Sequence, residues 1–198
     1  MTTLWSRLRA DPWTDALSAY PTVITKQGVA KLPELDTWYR DELPGIIASR
    51  RLVHITLPEL VRVTEWKMYR GVWRAPNLIR VKNNAAETVI ETTVRAFART
   101  PHLTQPIGEI ASLDGVGPAT ASALVAALLP SVYPFFDELV AAQIPDLGAV
   151  KWTLGYYAMY AERLRARAAE LGDAWTPVMV ERALWSSVGG KTGAVVGP

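Results

Sequence analysis

The sequence predicts an all-α fold, and two observations carry that prediction. Apolar residues recur at the three- and four-residue spacing of amphipathic helices along most of the 198 residues. Helix start signals precede several of these stretches, whereas no succession of alternating, strand-like runs is found. With 49% hydrophobic residues and 20% charged residues, the composition is that of a globular chain. We therefore expect a helical protein with one good-sized core.

The first 50 residues are predicted to form a helical extension packed on the core. Helical pieces are expected over residues 11–19 and 36–49, and Pro44 with Gly45 should kink or break the second piece. Residues 52–57 fit a short extended segment. The main domain is therefore expected to begin at residue 51.

Two helix starts in the middle of the chain are marked by their local sequence. Thr56 and Glu59 form a capping box, in which the Thr56 hydroxyl accepts from the Glu59 N–H and the Glu59 carboxylate reaches back. This pattern predicts a helix over 57–70, closed by Gly71 with a positive φ. A similar start at Asn84 precedes apolar residues at helical spacing and predicts a helix to about residue 97.

The C-terminal half is also predicted to be helical. Pro130 ends an apolar helix, Gly172 ends a long amphipathic one, and Thr176 with Pro177 opens the last. The predicted helices in this half are 107–113, 118–129, 150–171 and 177–185. Residues 189–198 are predicted to be a flexible tail beyond a main domain of residues 51–188.

Composition excludes several chemistries. The chain has no cysteine, which rules out disulfides, thiolate zinc sites, iron–sulfur clusters and cysteine nucleophiles. Its only histidines, His54 and His102, lack the spacing of metal ligands, so no metal site is predicted. The sequence shows neither a signal-peptide core nor an apolar run approaching ~18 residues, so we expect a cytoplasmic protein without a membrane partner.

Positive charge is concentrated in one segment, although the formal net charge is only +2. Between residues 60 and 82 a single acid, Glu65, accompanies the cations Arg62, Lys67, Arg70, Arg74, Arg80 and Lys82. Aromatic residues are interleaved with these cations, and flat rings stack on bases while cations neutralise phosphates. The candidate nucleic-acid contacts are therefore Trp66, Lys67, Arg70 and Arg74. The alternative is that the rings belong to the core and the cations to a solvated face.

Residues 113–121, LDGVGPATA, form a turn that leads directly into an apolar helix. Gly115 and Gly117 permit the backbone of a tight turn, and Pro118 suits the first position of the helix. The helix then presents backbone N–H groups beside a turn with few side chains, an arrangement that binds phosphate oxygens. The alternative is a turn that only reverses the chain between two helices.

This stretch, with a helix before it and an apolar helix after it, resembles the helix-hairpin-helix of the HhH-GPD superfamily of DNA glycosylases. In that superfamily a catalytic aspartate follows the second hairpin glycine by one helix and a loop, and Asp137 occupies that place here. The resemblance implies a helix-hairpin-helix DNA glycosylase-like helical domain. It also implies that the hairpin contacts DNA through Gly115, Val116, Gly117 and Thr120.

The resemblance assigns a chemical role to Asp137. Its carboxylate would stabilise positive charge on a sugar ring as the base departs, and would orient a water. The damaged nucleotide would first be flipped out of the duplex. The alternative role for Asp137 is a cap on a helix over residues 138–144.

The sequence also departs from the superfamily pattern. Bifunctional members carry a Schiff-base lysine where this chain has Ala119, so the resemblance implies at most a monofunctional enzyme without lyase activity. Asp114 places an acid where the hairpin would approach phosphates. A monovalent cation bound by the hairpin backbone is known in such hairpins, and no other cofactor is expected.

Three hypotheses for function follow. The first is a monofunctional DNA glycosylase that uses Asp137. The second is a protein with the same helix-hairpin-helix fold that binds DNA or RNA but is not an enzyme. The third is a helical interaction protein in which the hairpin is only a turn.

Overall fold

A computed structural model of the protein describes residues 3–194. Every regular element in that part of the chain is helical, and it contains no strand, as the sequence predicts. The α-helices are α1 (Asp11–Lys26), α2 (Leu32–Thr37), α3 (Leu43–Ala48), α4 (Leu57–Arg70), α5 (Ala75–Lys82), α6 (Ala86–Phe97), α7 (Gln105–Ile110), α8 (Pro118–Leu128), α9 (Glu138–Ala141), α10 (Leu154–Leu171) and α11 (Pro177–Ser187). A π-helical turn at Trp38–Glu42 joins α2 to α3, and 3₁₀ turns lie at Leu4–Ser6 and Gly190–Thr192.

Helix α4 begins and ends at the residues that its sequence pattern predicts. The capping box is present, with the Glu59 carboxylate accepting from the Thr56 N–H at 2.8 Å and from the Arg50 guanidinium at 2.6 Å. Gly71 caps the other end with a φ of −124°, so the predicted positive φ at this glycine is wrong. Local capping therefore sets the limits of the helix that carries Trp66, Lys67 and Arg70.

Other boundaries differ from the sequence prediction. The helical piece that the sequence predicts over residues 36–49 begins earlier, at Leu32, and runs without a gap through α2, the π-helical turn and α3 to Ala48. The change from π back to α geometry lies just before Pro44, which cannot donate a helical hydrogen bond. Helix α1 runs past the predicted residue 19 and tolerates Pro21 in its interior. Residues 53–56 form no regular element, and Thr56 has the extended backbone that was predicted for this segment, while Leu57 already belongs to α4. The sequence pattern did not predict α5, which lies at the C-terminal end of the basic segment.

Helix α8 lies at the centre of the core. Residues 119–127 of this helix are all buried, as its nearly uniform apolar sequence requires. Helix α1 packs along α11, and the same continuous apolar core contains Trp13, Leu124 and Trp185 from these three helices. Because packing fixes α8 on all sides, its N-terminus is held in place for the site described below.

The last described residues fold back onto α1. The Gln27 side-chain amide donates to the Gly189 carbonyl at 3.0 Å and accepts from the Thr192 N–H at 3.2 Å. A Cβ on Gly190 would lie 2.5 Å from the Trp185 ring, so this turn packs closely on the core. The predicted flexible tail is therefore wrong for residues 189–194, and residues 195–198 lie outside the described part of the chain. Within residues 3–194 none of the helices has the length and apolar character to cross a bilayer.

Candidate functional site

The hairpin between α7 and α8 packs closely on α5. Gly115 has a φ of +74°, a conformation that favours glycine. A Cβ at this position would lie 2.5 Å from the Asn77 carbonyl oxygen and 2.8 Å from the Val81 nitrogen. The first hairpin glycine is therefore required by both its backbone conformation and its contact with α5.

A side-chain amide holds the hairpin in place. Asn84 donates to the Asp114 carbonyl at 2.9 Å and accepts from the Asp114 N–H at 3.0 Å. The sequence pattern at Asn84 predicts a helix start, but the N-cap of α6 is Ala85 and no side chain caps that helix. Asn84 instead fastens the hairpin to the α5–α6 turn, while the Asp114 side chain stays exposed.

The second hairpin glycine faces open space. Gly117 is the N-cap residue of α8, and apart from Gly117 itself and its two chain neighbours none of residues 3–194 is found within 4 Å of where its Cβ would be. A cavity of about 240 Å³ lies against this helix N-terminus and is bordered by Lys67, Arg74 and Asn77. Backbone N–H groups at a helix start, together with two cations, form an environment that favours anions.

The predicted hairpin contacts differ in how much of each residue a ligand could reach. Gly115 and Gly117 line the cavity directly, and Thr120 also borders it. Val116 and Thr120 are buried, with exposed fractions of 6% and 2%. Their side chains therefore belong to the core, and the surface that the hairpin offers a ligand is mainly backbone.

Asp137 borders a second cavity, of about 130 Å³. Lys67, Arg74 and Trp152 line both cavities, which therefore adjoin. We call the two cavities together the groove. One end of the groove holds the hairpin and the N-terminus of α8, and the other end holds Asp137.

The Asp137 carboxylate has two roles in this arrangement. Its Oδ1 caps α9 by accepting from the Leu139 N–H at 2.8 Å and from the Val140 N–H at 3.3 Å. Its Oδ2 lies 3.9 Å from Nη2 of Arg70. The sequence hypotheses of a helix cap and of a groove carboxylate are therefore compatible, although α9 ends at Ala141 rather than near residue 144.

Arg70 lies below the groove in a chain of buried charges. Its Nη2 donates to Oε1 of Glu181, and both side chains are fully buried. Burial raises the pKa of Glu181, and the nearby Arg70 and Arg40 guanidinium groups offset only part of that effect. Burial alone would lower the pKa of Arg70, but Glu181, Tyr20 and Asp137 hold it above its ordinary value. Arg70 therefore carries its positive charge among buried carboxylates.

The charge chain continues into the N-terminal segment. Nη2 of Arg40 lies 3.9 Å from Oε2 of Glu181, and its Nε lies 3.3 Å from Oδ1 of Asp36. Asp36 also accepts from Nε1 of Trp66 and from the Tyr20 hydroxyl, each at 2.8 Å. Burial alone would raise the pKa of Asp36, but Arg40 and these hydrogen bonds bring it below its ordinary value.

Two of the predicted DNA contacts are therefore buried. Trp66 is 0% exposed and stacks on Tyr39 with ring centroids 3.8 Å apart. Arg70 is also 0% exposed, because it faces Glu181 rather than solvent. Neither side chain can reach a nucleic acid in this conformation. The core alternative holds for Trp66, whereas the solvated face that the same alternative assigns to the cations is wrong for Arg70.

Lys67 and Arg74 do reach the groove. Arg74 is exposed, while Lys67 is half-buried where the two cavities adjoin. Burial and the nearby Arg74 lower the pKa of the Lys67 ammonium, and Asp137 opposes that shift. These two cations therefore present positive charge along the groove, and their contact with a nucleic acid stays a prediction.

Other groove residues were missed by sequence reasoning. Trp152 is 45% exposed, lines both cavities and packs on Phe136 with ring centroids 4.8 Å apart. Lys191 and Glu138 border the Asp137 cavity as well. Trp152 precedes α10 and Lys191 lies in the supposed tail, so no local pattern connects either residue with Asp137.

The described residues contain no cluster of three or more His, Cys, Asp or Glu side chains arranged as metal ligands. Comparison of the chain with protein-family models, with curated proteins and with solved structures finds no match in any of the three.

Proposed function

We propose that the chain binds DNA along the groove and hydrolyses the N-glycosidic bond of a damaged, flipped-out base, with Asp137 as the catalytic carboxylate. The observation that carries this proposal is the continuity of the groove. Lys67, Arg74 and Trp152 connect the cavity at the hairpin with the cavity at Asp137. The two features that resemble the HhH-GPD superfamily in sequence thus share one surface.

Binding would begin at the hairpin. The N-terminus of α8 offers backbone N–H groups and the positive end of a helix dipole to a phosphate. Gly117 leaves room for a close approach, and Arg74 supplies an exposed guanidinium at the same cavity. Asp114 opposes this attraction, because its carboxylate is exposed on the hairpin.

Chemistry would occur at the other end. As the base leaves, positive charge develops on the sugar, and a carboxylate at the floor of the cavity stabilises it. Two backbone N–H groups fix Oδ1 of Asp137, which limits the rotation of the carboxylate. Trp152 and Phe136 border the same cavity and provide aromatic surface for the base.

The decisive experiment measures base release from a panel of damaged duplexes by the wild-type protein and by Asp137→Asn. Asparagine is as good an N-cap as aspartate, so the variant should keep α9 and the fold. We expect at least a ~100-fold loss of base release. Glu138→Gln is the matched control, since Glu138 borders the same cavity without capping α9.

Two results would count against the enzyme. Undiminished base release by Asp137→Asn would reject the mechanism, and no release from any duplex by the wild type would reject the activity. Equal losses in Asp137→Asn and Glu138→Gln would show a general charge effect on the groove rather than a role of one carboxylate.

A second function on the same groove is binding of DNA or RNA without chemistry. The observation that favours it is that Asp137 caps α9, together with the exposed ring of Trp152, which lines both cavities. It predicts salt-dependent binding of single strands that weakens in Trp152→Ala, with no base release. Affinity that is insensitive to salt would refute it and would favour an interaction protein.

A further inference from the structure

Arg70 occupies the position between the groove carboxylate and the buried charge chain. Its Nη2 lies 3.9 Å from Oδ2 of Asp137 and donates to Oε1 of Glu181. The other two guanidinium nitrogens, Nε and Nη1, have no hydrogen-bond partner among residues 3–194. The only polar groups that the guanidinium contacts there are therefore the two carboxylates, and one of these borders the groove.

Aromatic rings confine the Arg70 guanidinium. Its central carbon lies 4.6 Å from the Trp185 ring centroid, 5.2 Å from Phe135 and 5.5 Å from Trp66. A guanidinium held between rings and anchored by a buried carboxylate has little freedom to change partners. Its positive charge therefore stays beside Asp137.

The anchor itself depends on the N-terminal segment. Glu181 is fully buried and faces Arg40, which is in turn paired with Asp36. A buried carboxylate keeps its charge only when cations compensate for lost hydration. Arg40 and Asp36 of the N-terminal segment therefore help to keep Glu181 charged, and Glu181 in turn anchors Arg70.

We infer that Arg70, anchored by Glu181, is a positioning residue that holds a fixed positive charge beside the Asp137 carboxylate and orients it. The inference rests on the proposed function of Asp137 and explains why a cation is buried there instead of facing DNA. It also gives the N-terminal segment a part in the site, through Arg40 and Asp36.

The sign of the expected effect follows from electrostatics. Removing the cation beside a carboxylate disfavours its ionised form, so protonation occurs at higher pH. Removing Glu181 instead takes away a second negative charge and leaves Arg70 beside Asp137. Protonation of Asp137 is therefore not expected to move to higher pH in that variant. Besides Arg70 and Glu181, the titratable groups facing Asp137 are Lys67, Arg74, Glu138, Tyr160 and Lys191, and all remain in these variants.

The test compares Glu181→Gln with the double variant Arg70→Met/Glu181→Gln. Arg70→Met alone leaves Glu181 buried without its main partner and is expected to destabilise the fold, whereas the double variant removes both charges and should fold. Arg62→Met is the matched control, because Arg62 lies on the same helix but pairs with Glu34 at the surface. The pH dependence of base release is measured for each protein, with kcat and KM determined separately.

We expect the acid limb of kcat to lie at higher pH in the double variant than in Glu181→Gln, with a small change in KM. In Glu181→Gln the limb should stay or move to lower pH, and in Arg62→Met it should stay. A role in stability alone would lower the melting temperature without moving the limb. An acid limb at the same pH in Glu181→Gln and in a folded double variant would overturn the inference.

A second readout separates this inference from the proposed function. The carboxyl carbons of ¹³C-labelled aspartates are titrated by NMR, and Asp137→Asn identifies the Asp137 signal. If the protein releases no base but the midpoint of this signal is higher in the double variant than in Glu181→Gln, the positioning role holds while the catalytic role fails. Identical midpoints in Glu181→Gln and in the double variant would refute the positioning role whatever the activity.

Discussion

The hairpin glycines allow a matched pair of substitutions with opposite expected effects. Alanine at Gly115 must adopt a φ of +74°, which costs about 1–2 kcal/mol for a residue with a Cβ. The new Cβ would also lie 2.5 Å from the Asn77 carbonyl oxygen and 2.8 Å from the Val81 nitrogen, so the hairpin must move away from α5. Overpacking of this kind costs about 1–3 kcal/mol.

We therefore expect Gly115→Ala to lower the free energy of unfolding by about 3 kcal/mol, near the middle of the summed range. For a chain of this size that corresponds to a melting temperature roughly 6–12 °C lower. Thermal unfolding is monitored by circular dichroism. Urea denaturation of the wild type and the variant is compared as well, because a different slope m would reveal a change in the unfolded state.

Gly117→Ala is the control for chain position and should behave differently. Gly117 has a φ of −104° and open space at its Cβ position, so the fold tolerates a methyl group. Alanine is a poorer N-cap than glycine, but it reduces the entropy of the unfolded chain, and the net change should be under about 1 kcal/mol. The methyl group would obstruct a phosphate at the start of α8, so we expect DNA affinity to fall about tenfold, or ~1.4 kcal/mol.

The reasoning is refuted if Gly115→Ala has the same melting temperature as the wild type, because the close contact with α5 would then not exist. It is also refuted if both alanines destabilise equally, since the difference between the two glycines would have no structural basis. Unchanged DNA affinity in a folded Gly117→Ala would remove the hairpin from the proposed binding surface.

Two further predictions concern residues outside the groove. Asn84→Ala loses both hydrogen bonds to the Asp114 backbone and should cost about 1–2 kcal/mol, with faster hydrogen exchange at the Asp114 amide; unchanged exchange would contradict the fastening role. Burial alone would raise the pKa of Glu59, but the hydrogen bonds from Arg50 and Thr56 bring it below its ordinary value of 4.5. A carboxyl whose pKa is lowered on folding stabilises the protein above its unfolded-state pKa and loses that effect as the pH falls through the folded-state pKa. Glu59→Gln should therefore cost about 1–2 kcal/mol at pH 7 and progressively less below about pH 4.5, measured by urea unfolding; a difference that does not change with pH would contradict this.

Within the candidate site, the sequence was most informative where the relevant neighbours are close along the chain. The capping box at Thr56 and Glu59 predicted the start of α4, because the groups that accept hydrogen bonds from the free N–H groups of a helix start lie within one turn of it. The same holds for Asp137, whose capping role follows from the N–H groups two and three residues later. Asp137 also borders the groove with Lys67 and Arg74.

Sequence reasoning failed where burial depends on distant partners. Trp66 donates to Asp36, 30 residues away, and Arg70 donates to Glu181, 111 residues away. An arginine without a carboxylate nearby in the sequence is expected on the surface, since burying an unpaired charge costs free energy. Only the tertiary structure brings the compensating groups together.

The sequence by itself thus determined that the chain is helical, where α4 lies, and that a glycine turn leads into an apolar helix. Each of these depends on hydrogen bonding and hydrophobic periodicity over a few residues. The tertiary structure decided which face of α4 is buried, that Gly115 packs on α5 while Gly117 faces the groove, and that Trp152 and Lys191 border the same cavity as Asp137. These facts depend on how separate helices pack against one another, and no local pattern encodes the side chains that meet across such contacts.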